Sequence, residues 1–272
     1  MPKDLIGLPI AIAGASSGIG AATALACADA GMPVVLGARR LDKLESLADR
    51  INESGGRAVA IECDVTDRDA CARLIDRTVD AFGSIYSVFA CAGYGFEGSV
   101  LGTPEADQRA MFETNFWGTL NVVRPAAARM VETGAGHILI CSSCLSKIGI
   151  PNYAHYCATK ACQDLYGRSL RTELAPSGVH VSTVHPVGTT TEFFEKAAEV
   201  NPKMTLVDLD NKRFMQPPER VASAIVKCLR KPKSEVWTSP LRYALALSGL
   251  TPTLRDNLIM RRADRRSKRA DE

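Results

Sequence analysis

The sequence predicts an α/β protein built on one doubly wound parallel sheet with helices on both faces. Three observations carry this expectation. Short apolar segments alternate with segments of helical period from Leu8 to Thr238. The intervals between apolar segments are too long for hairpins, so the strands call for right-handed crossovers and a parallel sheet. The strands are also near-continuously apolar, as at Ile138–Ile140, which suits a sheet covered on both sides.

Leu8–Ala13 is the first strand, and the alanine-rich Gly18–Gly31 the first helix. Val34–Gly37 is the second strand. In Leu41–Ser54 the residues Leu41, Leu44, Leu47, Ala48 and Ile51 share one helical face. Arg57–Cys63 reads as a third strand, Asp67–Phe82 as a helix and Ile85–Cys91 as a fourth strand. One long helix over Pro104–Glu132 leads to the strand His137–Cys141, and a second over Asn152–Ala175 leads to Val179–Val184. Pro217–Lys231 is the last core helix, followed by the short strand Glu235–Thr238. No linker divides this alternation, so residues 1–239 form one domain, with a substrate lid over 189–215. Residues 240–272 form a helical basic tail.

The chain has 272 residues, enough to bury about three quarters of its unfolded surface in one core. Hydrophobic content of 46% and charge of 23% exclude a disordered chain. No apolar run reaches the roughly 18 residues that a membrane span needs. The net charge of +3 resides in the tail, where Arg255–Glu272 carries seven basic residues against four acidic ones. The body is therefore neutral and lacks the basic stripe of a nucleic-acid binder. Nine cysteines, an odd number, stand in a chain with no secretory segment at its start, which implies reduced thiols and a cytoplasmic protein. Cys141 and Cys144 form a lone C-x-x-C without a second pair, so no metal is expected.

The first crossover reads Gly14-Ala15-Ser16-Ser17-Gly18-Ile19-Gly20. Glycines after a first strand permit a tight turn, and the helix that follows offers free N–H groups to a pyrophosphate. This predicts a Rossmann-like dinucleotide site. At the end of the second strand, an NAD site needs a carboxylate for the ribose hydroxyls. Ala38 cannot supply one, whereas Arg39, with Arg40 beside it, can meet a 2′-phosphate. Ser16 can add a hydroxyl to the same phosphate. NADP is therefore the expected cofactor.

The G-x-x-x-G-x-G spacing resembles the short-chain dehydrogenase/reductase family, and further motifs follow in the family's order. These are Asp64 with Val65 after the third strand, Ala90-Cys91-Ala92-Gly93 after the fourth, Asn115, Ser143, Tyr156-x-x-x-Lys160 and Pro186-Val187. The resemblance covers Leu8 to about Phe194. It implies that Ala92, Gly93, Asp64, Val65, Pro186, Thr189 and Thr191 line the cofactor, Thr191 at the nicotinamide carboxamide. It further implies that Ser143 hydrogen-bonds the substrate oxygen, Lys160 holds the nicotinamide ribose, and Asn115 secures a water for proton relay. Tyr156 and Lys160 are four apart and so share a helix face. A neighbouring ammonium and an oxidised nicotinamide would both lower the phenol pKa from its ordinary value of about 10. The expected activity is interconversion of a carbonyl and a secondary alcohol, with Tyr156 as acid and base. Another class, a non-catalytic NADP-binding regulator or scaffold, has no need of the complete set Asn115, Ser143, Tyr156 and Lys160.

Four positions depart from the family pattern: Ala13 for threonine, Ala90 and Cys91 for asparagines, and Val187 for glycine, with Gly188 next. The lid contains Phe193, Phe194, Met204, Leu206, Phe214 and Met215, pointing to a bulky apolar substrate. The same residues would also serve simply to pack the lid. The resemblance implies a homodimer or homotetramer through the two long helices. In the tail, Leu254, Leu258 and Ile259 share a face ahead of Arg261, Arg262, Arg265 and Arg266. Docking on the protein is the favoured role, since most short amphipathic helices bury their stripe in their own protein. Peripheral contact with an anionic membrane is the other.

Overall fold

The computed structural model describes residues 2–193 and 215–260, apart from 255 and 258. Seven parallel strands form one sheet in the order β3-β2-β1-β4-β5-β6-β7. They are β1 Ile10–Ala13, β2 Val34–Ala38, β3 Ala58–Glu62, β4 Ser87–Ala90, β5 Gly136–Cys141, β6 Val179–His185 and β7 Glu235–Trp237. The central strand β1 pairs on one side with β2, in the register Ile10 to Val34, and on the other with β4, Ile10 to Ser87. The winding reverses between β1 and β4. The crevice at such a switch point, outside the carboxyl ends of the strands, is where ligands bind in open parallel sheets.

The pleat sorts β1 between two cores. Ile10 and Ile12 face one, with Leu44 and Ile51 of α2 (Leu41–Glu53), Ala24 of α1 (Gly18–Asp29) and Ile225 of α7 (Pro218–Arg230). Ala11 and Ala13 face the other, with Leu74 of α3 (Arg68–Phe82), Val122 of α5 (Gly118–Thr133) and Leu170 of α6 (Ala154–Leu174). Alanines in β1 let the helices on that side approach closely. Both faces are covered, as the apolar strands predict.

The helix expected over Pro104–Glu132 runs from Glu105 to Thr133 as α4 (Glu105–Phe112), a π-helical turn over Glu113–Trp117 and α5, with helical backbone through both junctions. The π-turn inserts a residue into the helical register, which apolar periodicity does not report. In the tail, α8 (Leu241–Ser248) leaves Leu241, Tyr243 and Leu247 at 39%, 59% and 67% exposure. Leu258 and the arginines from Arg261 lie outside the described residues.

Candidate active site

The glycine turn fits a phosphate-bearing ligand by its shape. Gly14 has φ of +90°, and a Cβ there would stand 2.6 Å from the Ala92 nitrogen. A Cβ at Gly20 would stand 2.1 Å from the Gly14 oxygen. Only bare backbone allows β1, the start of α1 and the segment after β4 to meet this closely. Thr191 lies over Gly18, so the loop after β6 meets the turn. Ser17 stands at the N-cap of α1 without a side-chain hydrogen bond to its amides, so those donors remain for a ligand.

Of the two arginines after β2, Arg40 makes the contacts to this turn. Its Nη2 donates to Ser16 Oγ (2.9 Å) and Ser17 Oγ (3.0 Å). Its Nη1 donates to Glu192 Oε2 at 2.7 Å, and Lys43 Nζ donates to Glu192 Oε1 at 2.7 Å. Arg39 is exposed and lies where its charge acts on the Tyr94 phenol. Arg40, the N-cap residue of α2, thus reaches back to Ser16 itself. Neither Lys43 nor Glu192 is marked by the sequence motifs. Asp64 is locked in a turn, its Oδ1 accepting from the Thr66 amide and hydroxyl at 2.9 and 2.8 Å. Val65 packs against Gly118.

At the carboxyl ends of β4, β5 and β6 the other predicted residues converge. Ser143 opens the short 3-10 turn after β5, and its Oγ accepts from the Leu145 amide at 3.1 Å. Ser143 lies near enough to the Tyr156 phenol to lower its pKa. Tyr156 and Lys160 rise from the first turns of α6, with Lys160 Nζ 5.6 Å from the Tyr156 ring centroid. Lys160 is 4% exposed, and its Nζ donates to the Cys141 carbonyl at 2.9 Å. Burial lowers the Lys160 pKa. The Tyr156 phenol is pushed well above its ordinary range, first by burial and then by Cys141, with Ser143 opposing. Lys160 is not among the main causes of this shift; its ammonium faces the ring and a main-chain carbonyl. Phe193 packs on Tyr156 with centroids 5.6 Å apart, and a Cβ at Gly95 would stand 2.6 Å from the Tyr156 ring. Phe194 lies outside the described residues.

Asn115 is fully buried in the π-turn, and all its polar atoms are engaged. Its side chain exchanges hydrogen bonds with the Tyr94 main chain, 2.9 Å to the amide and 2.8 Å to the carbonyl. Its own carbonyl accepts from Gln163 Nε2 and Thr119 Oγ1, both at 2.7 Å. The arrangement makes Asn115 a clamp on the segment after β4, beside Gly93 and Lys160. Thr189 Oγ1 donates to Val187 O and accepts from Gln216 Nε2, tying together the two ends of the segment expected as a lid. The Pro186 carbonyl accepts from the Cys144 amide at 3.0 Å.

A buried polar group behind Ser143 went unmarked in the sequence. His185 Nδ1 lies 3.1 Å from the Ser143 carbonyl oxygen. A carbonyl can only accept, so this contact assigns the Nδ1 proton. Asp164, His185 and Glu235 could together ligate a cation. Lys147 Nζ instead bridges the two carboxylates, at 2.6 Å from Asp164 and 3.0 Å from Glu235. The ammonium supplies the positive charge this cluster needs.

A model of the short chain dehydrogenase family matches residues 9–201. Glycine betaine reductase ATRR of Emericella nidulans is 32% identical over 86% of this chain, which spans 18% of that protein's length. Fatty acyl-CoA reductase Rv0547c of Mycobacterium tuberculosis is 34% identical over 68% of this chain and 64% of its own. The crystal structure of a short-chain type dehydrogenase/reductase from Mycobacterium marinum superposes with a TM-score of 0.76 at 32% identity, covering 85% of this chain and 93% of that one. Another, from Burkholderia phymatum in complex with NAD, gives 0.83 at 24% identity over 93% and 96%, a likeness of fold.

Proposed function

The chain belongs to the short-chain dehydrogenase/reductase family, and we propose that it is an NADP(H)-dependent oxidoreductase interconverting a carbonyl and a secondary alcohol. The observation that carries this reading is the convergence of Ser143, Tyr156 and Lys160 beside the glycine turn, at the switch point of the sheet. Gly14, Gly18, Ile19 and Gly20 would hold the pyrophosphate, and Ser16, Arg39 and Arg40 the 2′-phosphate. Asp64, Val65, Ala92, Gly93, Pro186, Thr189 and Thr191 would complete the cofactor wall. When bound, the reduced nicotinamide supplies a hydride to the carbonyl carbon. Ser143 then polarises the carbonyl oxygen, and Tyr156 Oη gives it a proton, so that a neutral alcohol leaves. Lys160 would hold the nicotinamide ribose, and Asn115 would keep the Gly93–Tyr94 segment in place.

A bulky apolar substrate fits the Phe193 ring packed on Tyr156. It also fits the name of the mycobacterial acyl-CoA reductase relative. The assembly in this reading is a homodimer or homotetramer of a cytoplasmic protein. Among the described residues no helix is long and apolar enough to cross a membrane. The exposed leucines of α8 and the basic end of the tail support peripheral membrane contact. Sedimentation with anionic vesicles should then be lost on truncation at Pro240.

A panel of ketones, from short and polar to long-chain, offered with NADPH and with NADH, tests the function. Faster reduction of the bulky apolar members with NADPH is expected. Equal rates with NADH would remove the NADP assignment, and preference for small polar ketones would remove the substrate class.

A further inference from the structure

Glu192 is joined to residues 152 and 149 positions away in sequence. Its carboxylate sits in a fork made by the Arg40 guanidinium and the Lys43 ammonium, each at 2.7 Å. The same guanidinium reaches the Ser16 and Ser17 hydroxyls of the glycine turn. Two cations and two hydroxyls are thus gathered around one internal anion. Carboxylate and phosphate oxygens take the same charge-assisted donors, and guanidinium serves both. The fork is open to solutes: the Arg40 and Glu192 side chains are 31% and 32% exposed. A cavity of about 380 Å³, lined by Ser16, Lys43, Ser46 and Arg50 among others, opens beside it.

We infer that Glu192 is an internal competitor for the adenosine 2′-phosphate of the cofactor, holding the Arg40–Lys43 fork until that phosphate takes it. This rests on the NADP reading of the residues after β2. The competition sets cofactor affinity and selectivity, because only a 2′-phosphorylated nucleotide must displace the carboxylate. Mild acid does not relieve it. The hydrogen bonds from Lys43 and Arg40 hold the Glu192 carboxyl at about 2, so it stays ionised at any working pH. Removing the charge does relieve it. A solvent-exposed ion pair contributes up to about 1 kcal/mol, which corresponds to roughly fivefold in affinity.

The test is calorimetric titration of the full chain, wild type, Glu192→Gln and the shorter Glu192→Asp, with 2′,5′-ADP, 5′-AMP, NADPH and NADH. Glu192→Gln should bind 2′,5′-ADP and NADPH about fivefold more tightly than wild type, and Glu192→Asp, which keeps the charge but draws it back from the fork, by a smaller factor, with 5′-AMP and NADH unchanged. A wild type that binds 2′,5′-ADP no better than 5′-AMP overturns the cofactor reading and this inference together. A wild type that does prefer 2′,5′-ADP, with no gain in either variant, overturns the competitor role alone. Weaker NADH binding by Glu192→Gln would instead make Glu192 an acceptor for the ribose hydroxyls, and also overturns it. Thermal midpoints of the variants equal to wild type show that the fold is intact.

Discussion

Tyr156, the proposed acid and base, has its phenol pKa raised well above the ordinary range. Burial raises its phenol, Cys141 adds to the effect, and Lys160 is engaged with the Cys141 carbonyl. A raised pKa keeps the acid form through neutral pH and into the alkaline range, which is the form that carbonyl reduction uses. The reverse reaction needs the phenolate. We therefore expect kcat/KM for reduction to stay flat through neutral pH and fall only above about 10, the ordinary phenol range. Alcohol oxidation should rise with pH over the same span. A fall in reduction centred near neutral pH would contradict this assignment. Tyr156, Lys160 and Ser143 are singled out in the sequence by the family resemblance, which their shared helix face and the place of Ser143 after a strand end support. The Arg40–Lys43–Glu192 fork is not legible. Which of two adjacent arginines turns toward Ser16 depends on the local backbone, and Glu192 arrives from a distant crossover.

The elements themselves follow from pattern: strand and helix alternate where apolar period changes, and each strand is found within a few residues of its expected bounds. The π-turn over Glu113–Trp117 is the exception, since one extra residue in a helix leaves composition unchanged. It matters because it buries Asn115 and aims it at the segment after β4. Gln163 of α6 completes the clamp, so α6 carries both the proposed catalytic pair and the support for the opposite wall. The outer surfaces of the same elements expose Trp117, Val131 and Leu165 at 43%, 41% and 66%. Apolar side chains on adjoining helices are what an isologous contact between two copies would bury. Light scattering at micromolar concentration should give a dimer or tetramer, and a monomer would refute this assembly.

At the scale of the whole molecule, the doubly wound sheet brings residues from six segments of the chain to one crevice. Asp64, Ala92, Asn115, Ser143, Tyr156 and Pro186 each follow or flank a strand end, and the parallel strands place all those ends on one side. That convergence is expected from the family resemblance together with a parallel sheet, whose strand ends share one side. For the tail the sequence favours docking on the protein over a lipid surface, and Leu258 of its stripe lies outside the described residues. The central claim is that this crevice transfers a hydride with Tyr156 as the proton donor. Single-turnover oxidation of prebound NADPH by an accepted ketone, in wild type and Tyr156→Phe, tests it most directly. The account predicts unchanged NADPH affinity and a rate at least ~100-fold lower in the variant, the low end for general acid–base help. A variant that turns over at the wild-type rate would contradict it.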